Sequence, residues 1–92
     1  MPIPILRQEQ YCLWDIVDVV RTLGYKFISV SGDVYTFLDG EEKIGDTTYV
    51  IVDMVQKEAY KMRHVYWGEW KHLKLQLPEE HEEVIQKLFK KY

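Results

Sequence analysis

The residues best suited to chemistry in this chain are its three histidines and its single cysteine. The histidines are His64, His72 and His81, and the cysteine is Cys12. A zinc site takes three or four ligands in close spacing, and the sequence has no His-x-x-x-His pair. A reactive thiolate requires a neighbouring cation or a helix N-terminus, whereas Cys12 lies within an apolar stripe. These spacings predict no metal, no cofactor and no catalytic residue, with His81 partly buried beside an acidic cluster.

Two aspartates, Asp33 and Asp53, provide a weaker basis for catalysis. Their order, after a helix that ends in Leu-Gly-Tyr, resembles that of metal-dependent nucleases of the restriction-endonuclease-like class. Those enzymes hold a cation between two carboxylates, and a lysine two residues after the second acid steadies the attacking water. Here Val55 has that position and Lys57 follows later, about 13 Å along an extended strand from Asp53. The resemblance implies a degenerate nuclease-like fold as the third hypothesis.

The predicted order of elements also resembles the double-stranded-RNA-binding fold. Such domains contact phosphates through lysines at the start of their second helix. At the corresponding position this chain has Glu79-Glu80-His81-Glu82-Glu83, and these carboxylates repel phosphate. The resemblance is confined to the order of elements, and no contact with double-stranded RNA is expected.

An aromatic and cationic run near the C-terminus is the strongest binding signal. Residues 57–74 carry five lysines and arginines against two acids. Alternate residues of a strand point to opposite sheet faces, and we expect the apolar alternating positions to face the helices. Those positions are Tyr60, Met62, Tyr66, Leu73, Leu75 and Leu77. The opposite, uncovered face would then present Lys61, Arg63, Trp67, Trp70, His72 and Lys74.

Tryptophans beside arginine and lysine on an uncovered sheet face are typical of a protein contact surface. The same set would suit single-stranded nucleic acid, because the rings stack on unpaired bases while the cations hold the backbone. The structural alternative is that the tryptophans fold over the sheet edge and the cations form a solvated rim. A second aromatic patch is predicted at Tyr11 and Trp14, on the polar side of the first helix.

These residues are positioned by a helix, a set of strands and a second helix. Apolar residues recur at helical spacing over 8–23, and Gly24 follows where a left-handed cap is favoured. From 25 to 77 the period changes to two, which predicts strands. One turn is expected at Ser31-Gly32-Asp33, and either a turn or a bulge at Trp67-Gly68-Glu69.

The last predicted helix spans 78–92, with Pro78 and four glutamates at its start and lysines at its end. The predicted strands are Tyr25–Val30, Val34–Leu38, Thr47–Val55 and one or two within 59–77. This order predicts an α+β fold: helix, antiparallel meander sheet of four or five strands, helix, with both helices on one sheet face. Residues 1–92 are expected to form one domain, with 1–7 as an extended segment.

Composition narrows the class of protein. A chain of 92 residues, 47% hydrophobic and 29% charged, has room for one core and the composition of a folded domain. The net charge of −3 gives no general attraction to nucleic acid or anionic membranes. The chain has neither a long apolar run nor a signal-like start, which predicts a cytoplasmic protein. Asparagine is absent and lysine and glutamate dominate the charges, a pattern typical of hot environments.

The predicted function is that of a small non-catalytic accessory or regulatory module which binds a larger protein through the aromatic and cationic face. Single-stranded nucleic-acid binding by the same face is the alternative. Two aromatic surfaces on so short a chain also predict burial against a partner, either a larger protein or a second copy in a homodimer.

Overall fold

The computed structural model describes residues 15–91. The described part of helix α1 covers 15–22, and helix α2 covers Glu79–Lys91. Between them lie the five strands β1 Lys26–Ser31, β2 Val34–Asp39, β3 Asp46–Asp53, β4 Glu58–Tyr66 and β5 Trp70–Leu75. All neighbouring strands are antiparallel, and their order in the sheet follows the chain from β1 to β5. The chain has the predicted α+β meander, with five strands.

Glycines end or turn the elements where the sequence places them. After α1, Gly24 has φ +98° and its N–H donates to the Arg21 carbonyl at 2.9 Å. At the β4–β5 connection Gly68 has φ +80°, and the Trp67 N–H donates to the Glu69 carbonyl at 3.0 Å. Glycine adopts this left-handed backbone without the steric cost of a Cβ. Of the two predicted alternatives, the connection is therefore the turn between two strands and not a bulge within one long strand.

The strand ends differ from the sequence prediction by one or two residues, and strand β1 contains a bulge that was not predicted. Strand β3 ends at Asp53 rather than Val55, because the Asp53 carboxylate accepts hydrogen bonds from the N–H groups of Val55 and Gln56, both at 3.0 Å, and turns the chain. Strand β1 shifts register between Phe27 and Ser29. Ile28 is the extra residue of this bulge and is exposed.

Helix α2 follows from its terminal residues. The Pro78 carbonyl accepts the first helical hydrogen bond, from the Glu82 N–H at 3.0 Å, so Pro78 is the N-cap and the helix begins one residue later than predicted. Glutamates fill the first turn and lysines the last, which complements the helix dipole. Neither described helix is long and apolar enough to cross a membrane.

One hydrophobic core joins both helices to a single set of sheet side chains. The sheet contributes Tyr35, Phe37, Val50 and Val52, which the register pairs directly across β2 and β3. Opposed residues of antiparallel strands lie on the same face, so these four define what we call the helix face. The helices add Ile16, Val17, Val20, Ile85, Leu88 and Phe89. The side chains that alternate with the helix-face residues point to the opposite side of the sheet, which we call the open face.

Candidate functional site

The open face carries an aromatic ladder across β3, β4 and β5. The register pairs β4 with β5 through Tyr66 and Trp70, His64 and His72, and Met62 and Lys74. It also pairs β3 with β4 through Tyr49 and Met62, and Ile51 and Tyr60. The open-face ladder is thus Tyr49, Ile51, Tyr60, Met62, His64, Tyr66, Trp70, His72 and Lys74.

Rings in the ladder contact each other across the strands. The His64 and His72 rings stack with centres 4.2 Å apart and planes 23° apart. The Tyr66 and Trp70 rings meet edge to face at 5.5 Å, and Tyr49 meets His64 in the same way at 5.1 Å. Cross-strand aromatic pairs stabilise a sheet and fix the rings in place. The ladder is therefore a pre-ordered surface.

The prediction that Lys61 and Arg63 share a face with the tryptophans is wrong. Lys61 lies opposite Val50 and Arg63 opposite Thr48, so both are on the helix face. The physical reason is the length of the β4–β5 turn, which places Tyr66 directly opposite Trp70. Even-numbered residues of both strands therefore share one face, and the odd-numbered Lys61 and Arg63 lie on the other. The apolar set Tyr60, Met62 and Tyr66 consequently lies on the open face and not against the helices.

Lys61 and Arg63 are both neutralised by acids on the helix face. Lys61 Nζ lies 2.8 Å from the Asp39 carboxylate. Arg63 donates two hydrogen bonds to Asp46, at 2.9 and 2.8 Å. Hydrogen bonding and charge from Arg63 lower the pKa of Asp46, and the same pair raises the pKa of Arg63. These cations are therefore internal partners of acids rather than components of the aromatic face.

Both predicted tryptophans are exposed, each by 59%. Trp70 belongs to the ladder, whereas Trp67 lies in the β4–β5 turn. The Lys71 ammonium lies 5.6 Å from the Trp67 ring centre, and Lys71 pairs with Val65, a helix-face residue. Both indoles therefore lie at the β4–β5 end of the sheet. The lysine beside the Trp67 ring belongs to the helix face, whereas Trp70 belongs to the open face.

His72 and Lys74 lie on the open face beside Trp70, as predicted. Lys74 Nζ lies 3.1 Å from the Glu58 carboxylate and 4.5 Å from the Tyr60 ring centre. Glu58 offsets the charge of Lys74, so the centre of the ladder is aromatic and close to neutral. The open face also contains five residues that were not predicted there: Tyr49, Tyr60, Met62, His64 and Tyr66. A three-residue turn pairs residues of equal parity on its two strands, so even-numbered residues of β4 share a face with Trp70. This rule would have predicted the four residues of β4 from the sequence.

His64 is a half-buried titratable group on the open face. Burial, and to a smaller extent the neighbouring His72, lower the pKa of His64 below its ordinary value of 6.5. The folded protein then binds a proton less readily than the unfolded chain, so His64 contributes stability above pH 6.5 that is lost as the pH falls below it.

We accordingly expect the free energy of unfolding to decrease between pH 7.5 and 5.5, and to decrease less in His64→Gln. Urea titrations of both proteins at each pH measure the difference. His72→Gln is the matched control, because it removes the second stacked ring and should give an intermediate response. An equal decrease in wild type and His64→Gln would show that the pH dependence arises elsewhere.

A recess of about 500 Å³ opens at the end of the ladder, beside the β2–β3 loop. Its floor is formed by Thr47, Tyr49, His64 and Trp70, and its rim by residues 42–45 of the loop. The buried Thr47 hydroxyl donates to the Lys43 carbonyl at 2.8 Å and accepts from the Lys43 N–H at 3.1 Å. These two bonds hold the loop against the sheet, and Ile44 is left fully exposed at its tip.

The residues of the nuclease hypothesis have structural contacts. Asp53 caps the β3–β4 turn, and the Asp33 carbonyl accepts a hydrogen bond from the Met54 N–H at 2.9 Å. Lys57 Nζ donates to the Phe89 carbonyl of α2 at 3.2 Å. Within residues 15–91, no three His, Cys, Asp or Glu side chains are grouped closely enough to hold a metal ion. This arrangement gives Asp53 and Lys57 roles in folding.

Asp53→Ala is expected to lower the free energy of unfolding by about 1 kcal/mol, because two turn N–H groups lose their acceptor. Urea denaturation measures this loss. Asp53→Asn keeps an oxygen acceptor and should stay within about 0.5 kcal/mol of wild type. An equally large loss in Asp53→Asn would contradict the capping role, and metal-dependent cleavage of nucleic acid that requires Asp53 would restore the nuclease hypothesis.

His81 lies partly buried in the first turn of α2, as expected. Its Nδ1 is hydrogen-bonded to the Tyr25 hydroxyl, and the two rings meet edge to face with centres 5.3 Å apart. Burial, and then the nearby Asp39 carboxylate, raise the pKa of Tyr25. The predicted second patch at Tyr11 and Trp14, and Cys12 with them, lies outside the described residues.

The open-face ladder and its recess form the strongest candidate site within residues 15–91. The site has rings in fixed positions, one compensated lysine and an acidic loop at one end. Comparison with models of known protein families, with curated proteins and with solved structures gives no match for this chain. The chemistry of this face is therefore the basis for a functional proposal.

Proposed function

We propose that this protein is a non-catalytic accessory or regulatory module that binds another protein through the open-face ladder. The observation that carries the proposal is the ladder itself, because Tyr66 and Trp70 remain 53% and 59% exposed while both described helices pack on the other face. Aromatic residues and methionine are enriched where protein partners meet. The ladder offers these residue types together on one flat area.

The fixed geometry of the ladder supports tight binding. The stacked histidines and the Tyr66–Trp70 contact hold the rings before a partner arrives. Association then orders fewer side chains, which lowers the entropic cost of binding. Tryptophan and tyrosine in such settings commonly contribute most of the binding free energy.

The charge distribution favours a protein over single-stranded nucleic acid. Nucleic-acid binding needs cations along the stacking surface to neutralise phosphates. Lys61 and Arg63 lie on the helix face in ion pairs, and Lys74 is paired with Glu58. The loop beside the ladder carries Glu41 and Glu42, which would repel a phosphate backbone.

The experiment uses the purified chain to capture partners from lysate of the cells that produce it, in parallel samples with and without nuclease treatment. Met62→Glu places a charge at the centre of the ladder, and Val55→Glu makes the same change at an exposed turn position away from it. We expect the same protein to be retained by wild type and Val55→Glu and lost with Met62→Glu. Titration with the purified partner should show a Met62→Glu affinity at least about thirtyfold weaker.

Two outcomes would contradict the proposal. Equal retention of the partner by Met62→Glu would show that the ladder is not the binding surface. Retention of nucleic acid alone, with an affinity that falls steeply between 50 and 200 mM salt, would favour the nucleic-acid alternative. Sedimentation of the chain alone tests self-association, and a dimer disrupted by Met62→Glu would identify the partner as a second copy.

A further inference from the structure

The recess at the end of the ladder combines aromatic rings with negative charge. Tyr49, His64 and Trp70 form its sheet side, and Glu42 stands on its loop side. Its volume of about 500 Å³ is within the range of natural ligand pockets. Aromatic rings attract a cation through their electron-rich faces, and the attraction grows when water is excluded. An organic cation is stabilised both by aromatic rings and by negative charge, and few other ligands are.

The β2–β3 loop, residues 40–45, carries carboxylates that are available to interact with a ligand. Asp39 and Asp46, the strand residues on either side of the loop, are compensated by Lys61 and Arg63. Glu41 and Glu42 are exposed, and neither forms an ion pair with any residue in 15–91. The loop therefore presents net negative charge at the rim of the recess.

Neither basic group at the recess prevents a cation from entering. Lys43 carries one positive charge against the two carboxylates of Glu41 and Glu42, so these three residues keep a net charge of −1. His64 has a lowered pKa and is mostly neutral at pH 7. At neutral pH the imidazole contributes a ring and no positive charge.

We propose that the recess binds a basic side chain, the ammonium of lysine or the guanidinium of arginine, presented by the protein partner. The aliphatic part of such a side chain packs along Tyr49 and Trp70, and its charged end meets Glu42. The exposed Ile44 at the rim gives the partner an apolar contact beside the inserted side chain. This inference rests on the proposed function and names the chemistry that the partner presents.

The test needs no identified partner. Nα-acetyl-lysine methylamide is titrated into the ¹⁵N-labelled protein, and Nα-acetyl-norleucine methylamide serves as the uncharged probe of similar shape. We expect millimolar binding of the lysine probe, with shifts at the Trp70 indole and at amides of residues 42–49. The norleucine probe should bind about three- to thirtyfold more weakly, as the loss of a cation–π contact implies.

Variants separate the recess from the neighbouring surface. Glu42→Gln, an exposed loop change, should weaken the lysine probe several-fold at low salt, and Trp70→Ala should abolish its binding. Trp67→Ala is the matched control, because this indole is equally exposed but does not line the recess. Acidification below pH 6 should also weaken binding as His64 gains a proton beside Glu42, Lys43, Tyr49 and the stacked ring of His72.

Equal binding of the two probes, or an equal loss in Trp67→Ala, would overturn the inference. Absence of binding at 50 mM probe would do the same. The failure of the recess is distinguishable from failure of the proposed function, since Met62 does not line the recess. If Met62→Glu abolishes partner binding while the lysine probe never binds, only the cation inference falls.

Discussion

Phe37→Ala is expected to lower the free energy of unfolding by about 3–5 kcal/mol, the largest loss from any single truncation considered. Phe37 is fully buried on β2 and belongs to the core to which both helices and the sheet contribute. Its ring meets that of Phe27 edge to face with centres 5.5 Å apart. Truncation removes buried apolar surface and leaves a cavity that the antiparallel backbone cannot close. The loss would be roughly a fifth or more of the stability of a small domain.

Urea denaturation followed by tryptophan fluorescence measures this effect, and the melting temperature should fall by at least about 12 °C. Tyr66→Ala is the matched control, because it removes an aromatic ring of similar size from the open face, where the ring is half exposed. We expect its cost to stay below about 1 kcal/mol. A larger loss in Tyr66→Ala than in Phe37→Ala would mean that the two sheet faces have been assigned the wrong way round.

Trp70→Ala is expected to weaken partner binding by at least about thirtyfold, or about 2 kcal/mol, with little change in stability. Trp70 belongs to the ladder and also lines the recess, so in the proposed complex its indole would contact both the partner surface and the inserted side chain. It is exposed in the free protein, and truncation therefore removes little of the folding free energy.

Calorimetric titration with the purified partner measures the loss. Trp67→Ala changes the same residue type at the same exposure in the β4–β5 turn, and we expect its affinity to stay within about threefold of wild type. A loss in Trp67→Ala as large as that in Trp70→Ala would show that the interface is not centred on the ladder.

The order of elements could be predicted from the sequence because each signal is local. Gly24, Gly32 and Gly68 all adopt positive φ where the chain must turn, and apolar spacing separates helical from extended segments. Strand β3 was recognisable as central because it is apolar on both faces, and it is the middle strand of the sheet. Strand ends were less accurate, since the side-chain cap of Asp53 shortens β3.

The candidate site could be predicted only in part, because the residues of β4 were each assigned to the opposite face of the sheet from the one they occupy. The apolar residues of β4 were predicted to face the core. Instead, Lys61 and Arg63 lie on the helix face of this strand, where they pair with Asp39 and Asp46. Ion pairing across strands allows polar residues on a covered face, so hydrophobicity alone cannot assign it. The positions of Trp70, His72 and Lys74 on β5 were correct, because leucines mark its opposite face.

The position of β5 at the border of the sheet has a consequence for how copies of this chain can associate. Edge-to-edge pairing of border strands is the usual route to fibres. Strand β5 carries Lys71 on one face and Lys74 on the other, so pairing with a second β5 would crowd ammonium groups on both sides of the new seam. The lysines thus discourage open-ended growth through strand pairing at this border.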